Sequence, residues 1–415
     1  MTKKQLGIRN FSIRHLLEIR NYNLEISNLV LMLFSRSSTY PIGLDISDLS
    51  LKFVQLNKIR NKIKIQAMGK ASLPAGLIEG GEIKDKEEVI KQIKKLIANP
   101  QFGKVSSGEI ISCLPETKTF IKLIEVERTP NPMREIISNE IEKHIPIPIN
   151  EMYYDWQIIK TLDDKQLVLI GAAPQDIVSQ YANLLKEAKY SIVALEIEPI
   201  SICRSLLTEE AAGIGGQSEK NYGIIDIGAK RTSMIIYSKN TILFTASMPI
   251  SGEEVTNRIA KTLKIKVSQA EKAKIICGFD EKKAEGIIKN ILSDTTHELI
   301  KKIHEAIEFY DFQFSARGPI NEILLCGGGA NIKNLNEIIS KEFSIPVKHG
   351  DALVNLSESS KKFSNILKEK HSLEIDLNKN NNKKQNKILS ITQDASITFA
   401  TAIGLALRGI IIEEI

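Results

Sequence analysis

Apolar residues recur at strand spacing in three consecutive stretches, 42–46, 51–57 and 62–70, the last carrying Ile63, Ile65 and Ala67 on one side. The pattern then changes period. Val89, Ile90, Ile93, Leu96 and Ile97 fall at helical spacing and predict a helix over 86–98. The same succession restarts with strands at 223–228, 233–237 and 241–247 and a helix beginning near Gly252. The first strand of each set carries an aspartate, Asp45 and Asp226, and these lie 181 residues apart. Such self-similarity at domain scale predicts two related halves facing a cleft.

Between the halves the pattern predicts strands at 110–114 and 119–126, a helix over 133–144, strands at 155–159 and 167–173, and a helix at 182–188. The run Ile145-Pro146-Ile147-Pro148-Ile149 forces extended backbone, because proline cannot continue the helix. A Gly-rich stretch at 211–220 reads as a flexible link, and the Asn/Lys run at 378–387 as a low-complexity surface loop. The expected division is an appendage at 1–40, a first half at 41–109, an inserted subdomain at 110–200 and a second half at 201–415. Within the last, a helical part covers about 260–318 and the low-complexity loop about 372–390.

With 42% hydrophobic residues and a length of 415, the chain can bury a large core spread over more than one domain. The net charge of +6 is mild and reads first as a lysine-rich solvated surface. The basic run at 378–387 lacks interleaved aromatic residues, so no nucleic-acid partner is expected. Cys113, Cys203, Cys277 and Cys326 show no CxxC spacing, and His297 and His304 form no cluster, which argues against zinc sites and disulfides and fits a cytoplasmic protein. The apolar run 29–34 is too short to span a bilayer. The long one at 397–412 is interrupted by Arg408 and reads as a buried core helix. Residues 1–31 match neither a signal peptide nor a transit peptide, and Met32 is an alternative start.

Three elements can carry chemistry. The turn after the first strand, with Asp45, Ser47, Ser50 and Lys52, offers hydroxyls and backbone N–H groups to phosphate oxygens. The turn Asp226-Ile227-Gly228-Ala229-Lys230 offers the same from an opposite wall. A carboxylate at each strand end, Asp45 and Asp226, can hold Mg2+, chiefly through water. The strand 322–326 runs into Gly327, Gly328, Gly329 and Ala330, where missing side chains allow close backbone approach to a ligand ahead of a helix. Rival nucleotide motifs fail: Gly103-Lys104 is followed by Val105, and Gly213-Ile214-Gly215 opens no strand–helix unit.

Strand–strand–strand–helix, given twice, is the order of an actin-type half-domain. The ordered motifs resemble the PilM family of type IV pilus systems, relatives of the division protein FtsA. They are 43–52, Cys113-Leu114-Pro115-Glu116, the stretch 140–150, Asp155 with Gln157, Phe309-Tyr310, 327–330 and 402–408. The resemblance spans about residues 40–410 and implies an α/β, actin-like ATPase (ribonuclease-H-like) fold with an FtsA-type inserted subdomain. It implies ATP and Mg2+ in the cleft. Asp45, Ser47, Ser50, Lys52, Asp226, Gly228, Ala229, Lys230 and Gly252 would surround phosphates and metal, and Gly327, Gly328, Gly329 and Ala330 would lie near the adenosine.

It also implies a scaffold of the inner-membrane assembly platform. Its partners would be the cytoplasmic N-terminal peptide of a PilN-like membrane protein and other platform proteins, so membrane association is indirect; homo-oligomerisation stays open. The Pro-bearing stretch and Tyr153-Tyr154-Asp155-Trp156 are the expected peptide contacts. Ser47 stands where the family has glycine, and Asp48 where it has a small residue. A carboxylate at 48 repels phosphates unless it points away or holds metal. Lys230 replaces a small or acidic residue and adds positive charge there. No base for water activation is evident, which implies at most slow hydrolysis. The alternatives are an FtsA-like cytoskeletal ATPase, for which 410–415 is a short anchor, and a phosphotransferase such as a sugar kinase.

Overall fold

The computed structural model describes residues 39–60, 62–129, 132–145, 147–209, 211–212, 220–357 and 394–412. Residues 1–38 of the expected appendage 1–40, the low-complexity loop and most of the Gly-rich link lie outside the described residues.

The chain opens with β1 (Ile42–Ser47), β2 (Ser50–Ile59) and β3 (Lys62–Ser72), paired antiparallel. A small hairpin, β4 (Ile78–Glu79) and β5 (Glu82–Ile83), leads to α1 (Lys86–Ala98). The Asp85 side chain accepts from the Glu88 N–H and so starts α1. Val89, Ile93, Leu96 and Ile97 form the buried face of this helix. Next come β6 (Phe102–Gly103), β7 (Glu109–Leu114), β8 (Phe120–Glu127), α2 (Met133–His144), β9 (Met152–Thr161), β10 (Lys165–Pro174), α3 (Gln175–Glu187), β11 (Ser191–Ile197) and α4 (Glu198–Leu206). The second set is β12 (Asn221–Ile227), β13 (Thr232–Ser238), β14 (Thr241–Met248), α5 (Gly252–Leu263), α6 (Val267–Cys277), α7 (Ile287–Phe314), β15 (Glu322–Cys326), α8 (Leu335–Phe343) and β16 (Val347–His349). A turn of helix at Asp394–Ile397 and the apolar helix Ala400–Ile412 follow.

Two sheets with one plan result. The first has the order β11-β7-β1-β2-β3-β6, and the second begins β16-β15-β12-β13-β14. In each, an antiparallel trio is flanked by a strand parallel to its first member, β7 on β1 and β15 on β12. The repeat read in the sequence is therefore a repeat of topology.

Three placements differ from the division expected from sequence. The strands β7 and β11 fall within 110–200, or at its edge, yet they complete the first sheet. The strands β8, β10 and β9 extend the second sheet beyond β14, with β9 at the edge. The apolar helix Ala400–Ile412, expected in the second half, packs on β1 and α4. Glycines allow that contact. A Cβ on Gly404 would sit 1.8 Å from Ser201 O, and one on Gly43 would sit 2.3 Å from Ala402 O.

A buried charge cluster fixes the same junction. Glu196 on β11 is fully buried and accepts two bonds from Arg204 of α4, at 2.8 and 2.9 Å. It also accepts from Arg408 Nη1 of the apolar helix, and Arg204 Nη1 donates to Gly404 O at 2.9 Å. Burial raises the Glu196 pKa, but the two guanidiniums outweigh it and hold the carboxyl below its ordinary value. Removing the carboxylate alone leaves two buried cations without their counter-charge. Glu196→Ala should cost about 3–5 kcal/mol, read as a lower midpoint in chemical denaturation. An unchanged midpoint would show that the cluster does not hold the helix.

Candidate functional site

The site forms where the first strands of the two sheets end. Asp45 and Lys52 are cross-strand partners in the β1–β2 pair, and the Lys52 ammonium lies 2.6 Å from Asp45 Oδ2. Ser47 Oγ donates to Asp45 Oδ1 at 2.8 Å, and Ser50 pairs with Ser47 across the turn. Burial alone would lower the Lys52 pKa. Asp45 chiefly, with Asp226 and Glu198, overcomes this and raises it. Lys70, the β3 partner of Lys52, reaches solvent, yet the surrounding protein and then the Lys52 charge lower its pKa to about 8.

Asp48 does not face this centre. Its carboxylate accepts from the Gly80 and Gly81 N–H groups at 2.8 and 3.0 Å, so the repulsion anticipated from the sequence is turned aside into the β4–β5 hairpin.

Asp226 comes from the second lobe at the matching position of β12. Desolvation raises its pKa to about 6, Lys52 opposes that shift, and Asp45 adds to it. The β12–β13 turn is closed by Gly228 N–H donating to Arg231 O at 2.9 Å, and a Cβ on Gly228 would lie 2.7 Å from that oxygen. Ala229 O accepts from the Glu253 N–H and the Ser251 hydroxyl, both at 2.9 Å, which fastens the turn to the start of α5. Gly252 packs against Gly228 O, 3.1 Å from where its Cβ would be. Lys230 is placed differently from expectation: its ammonium pairs with Glu253 at 2.5 Å, so its charge is already matched.

Gly327 adopts φ +80°, and a Cβ there would fall 2.2 Å from Asp226 Oδ1. Glycine is required for both reasons. Gly328 faces open space, Gly329 packs on Ile227, and Ala330 is buried in the core. The expected helix does not follow directly: a 3-10 turn, Gly329–Asn331, intervenes, and α8 begins at Leu335.

Four groups here were not read from the sequence. Glu198, the first residue of α4, sits in the same field. Burial raises its pKa well above normal, and the charges of Asp45, Asp226 and Glu116 add to this. A Glu198 oxygen, an Asp45 oxygen and Cys113 Sγ all lie within 4.8 Å of one another. Glu198 is thus a carboxylate in the cleft able to accept a proton, where none was evident in the sequence. The others are Thr256, Glu271 and Lys274. The Lys274 ammonium donates to Gly252 O and Thr256 Oγ1 at 2.8 Å each and pairs with Glu271 at 2.8 Å. Glu198 had one available signal, the Glu-Pro dipeptide that opens α4.

Among the described residues no helix is long and apolar enough to cross a membrane. A family model described as type IV pilus assembly protein PilM matches residues 43–410. The cell division protein FtsA of Buchnera aphidicola subsp. Baizongia pistaciae is 27% identical over 319 residues, 66% of this chain and 75% of that protein. FtsA of Neisseria meningitidis serogroup B is 20% identical over 342 residues, 71% and 80%. A solved PilM-PilN type IV pilus biogenesis complex superposes with a TM-score of 0.70 at 21% identity, covering 89% of this chain and 98% of that one. These likenesses, with the two matching sheets, establish the actin-like ATPase fold.

The raised pKa of Asp226 has a sign that can be checked in protein free of metal and nucleotide. Protonation is favoured in the folded state, so the group contributes no penalty below the unfolded pKa near 4. Its penalty grows as pH rises through about 6. Asp226→Asn should therefore melt higher than the parent at pH 7.5, and the difference should vanish by about pH 4. A variant less stable than the parent at pH 7.5 would contradict the electrostatic reading.

Proposed function

Because the chain belongs to the PilM family of type IV pilus assembly proteins, we propose that it is a nucleotide-binding scaffold of the pilus assembly platform, holding Mg-ATP between its two lobes. The observation that carries this reading is the convergence of Asp45, Asp226 and Glu198 on Lys52. Oxygen donors of this kind suit a hard, hydrated divalent ion. Cys113, the thiol beside them, is not a ligand such an ion seeks. Bound Mg2+ would neutralise phosphate charge. The chain's own contribution is to position that charge. Lys52 supplies a fixed ammonium. The Ser47–Ser50 and Gly228–Arg231 turns present N–H and hydroxyl groups, and Gly327 and Gly328 leave room for close backbone approach. Glu198 can orient a water or accept its proton.

The partner reading is a PilN-like N-terminal peptide lying extended along the inserted strands. The strand β9 is the edge of the second sheet and can accept such a segment by main-chain pairing. Tyr154 and Trp156 stack at 6.3 Å and pack with α2 residues, including Ile137 and Ile141, so their rings support β9 from behind. The contact then falls to the β9 backbone, since Tyr153 on the opposite face packs against the main core.

Calorimetric titration with Mg-ATP should show saturable binding that Asp226→Ala abolishes, with phosphate release on the same sample slower than about one per minute, far below the usual range for enzymes. Rapid release would make this protein a working ATPase, and no binding would leave a scaffold that keeps only the fold. Trp156 is the single tryptophan of the chain. Its emission should shift on titration with a synthetic PilN-type N-terminal peptide, and a silent titration would place the peptide elsewhere.

A further inference from the structure

The strands β2 and β3 run past their neighbours. Pairing of β1 with β2 stops at Gln55, and β6 meets β3 only at Ala67 and Met68. Beyond those points, among the described residues, the two strands pair only with each other, through Asn57↔Lys64, Lys58↔Ile63 and Ile59↔Lys62. Its base is anchored by Leu56 and Ile65, both buried, and by two bonds between Ile63 and Ser357, at 2.8 and 3.0 Å. What projects is a braced, two-stranded tip.

The composition of that tip is one-sided. Residues 57–64 contain four basic side chains, Lys58, Arg60, Lys62 and Lys64, and no acidic one. Partners directly across an antiparallel pair share a face, so Ile59, Lys62 and Lys64 lie together. Ile59 is 59% exposed at the end of this face. Among the described residues, no ion pair engages Arg60, Lys62 or Lys64. The turn that carries Asp45 is at the other end of β2, roughly 30 Å away at strand rise, so an engaged tip leaves the cleft open.

We propose that this hairpin tip docks on an anionic lipid surface, with Ile59 entering the interface and Arg60, Lys62 and Lys64 meeting lipid phosphates. Each Lys or Arg near an anionic bilayer strengthens attachment roughly fivefold. An apolar point ringed by cations is the arrangement that binds such an interface. The tip is the end of a two-stranded ribbon with Ile59 exposed, which suits insertion into a fluid layer, and it has no aromatic residue on which a nucleic-acid base could stack. Membrane contact would then be direct, in addition to any tether through a membrane partner.

The test is co-sedimentation of the full chain with vesicles of phosphatidylglycerol and phosphatidylethanolamine, against vesicles of phosphatidylcholine. No partner protein or nucleotide is present, so the result is independent of the nucleotide and peptide readings. Binding should be confined to the anionic vesicles and be released by high salt. Lys62→Glu combined with Lys64→Glu should weaken it roughly tenfold or more. Ile59→Ser, which keeps the charge, should weaken it without altering the salt dependence, and thermal melts matching the parent would show both variants folded. Equal binding to both vesicle types, or charge-reversed protein sedimenting like the parent, overturns the proposal. So does retention of duplex DNA that depends on Lys62 and Lys64 without vesicle binding, which would make the tip a nucleic-acid contact.

Discussion

The cleft depends on one ammonium group. Lys52 lies 2.6 Å from Asp45 and within the electrostatic reach of Asp226 and Glu198. Those carboxylates come from different parts of the chain, β1, β12 and the start of α4. Without a fixed cation among them, mutual repulsion in a poorly solvated space would force protonation or part the lobes. Even with Lys52 present, desolvation and the neighbouring charges leave Asp226 near pKa 6 and Glu198 well above its normal value. The site is thus electrostatically strained in a sense that a bound divalent cation would relieve. The two lobes also mirror one another in detail. Asp226 pairs with Cys326 on the adjoining parallel strand, and Cys113 follows the residue that pairs beside Leu44 in the first lobe.

Assembling the first lobe is a packing problem, and Glu196 is central to it. It joins β11 to α4 and to the apolar helix through Arg204 and Arg408. The next residue but one is Glu198, so the cluster that anchors the helix also sets where that carboxylate enters the cleft. The close approaches at Gly43 and Gly404 bring the helix against β1, the strand that delivers Asp45. Residues at opposite ends of the sequence therefore complete a single lobe.

Much of this was legible in the sequence, and the failures have physical causes. The helices α1 and α2 begin and end where their apolar spacing predicts. Asp45 and Asp226 stand at matched strand ends, because alternation fixes strands and the repeat fixes their equivalence. The elements β11 and α4 escaped notice because Glu196 and Glu198 interrupt the apolar pattern, and because α4 is built from Ile, Ser and Cys, which are weak helix formers. A buried charge looks exposed in a sequence until its partners are known, and here one partner is 212 residues away. The sequence left open whether Asp48 points away, and it did not show the partner of Lys230, for the same reason: their pairings with Gly80, Gly81 and Glu253 have no local signature. Sheet membership was also hidden, since strand order is set by long-range pairing that periodicity does not encode.

The most direct measurement is a crystal structure of the full chain with Mg2+ and a non-hydrolysable ATP analogue. The account predicts the phosphates between the Ser47–Ser50 and Gly228–Arg231 turns, Lys52 against phosphate oxygen, and the cation's water shell hydrogen-bonded to Asp45 and Asp226. Nucleotide density elsewhere would contradict it, for example in the cavity of about 400 Å3 lined by Phe120, Phe244 and Phe309. So would a cleft in which Lys52 stays bonded to Asp45 with no phosphate beside it.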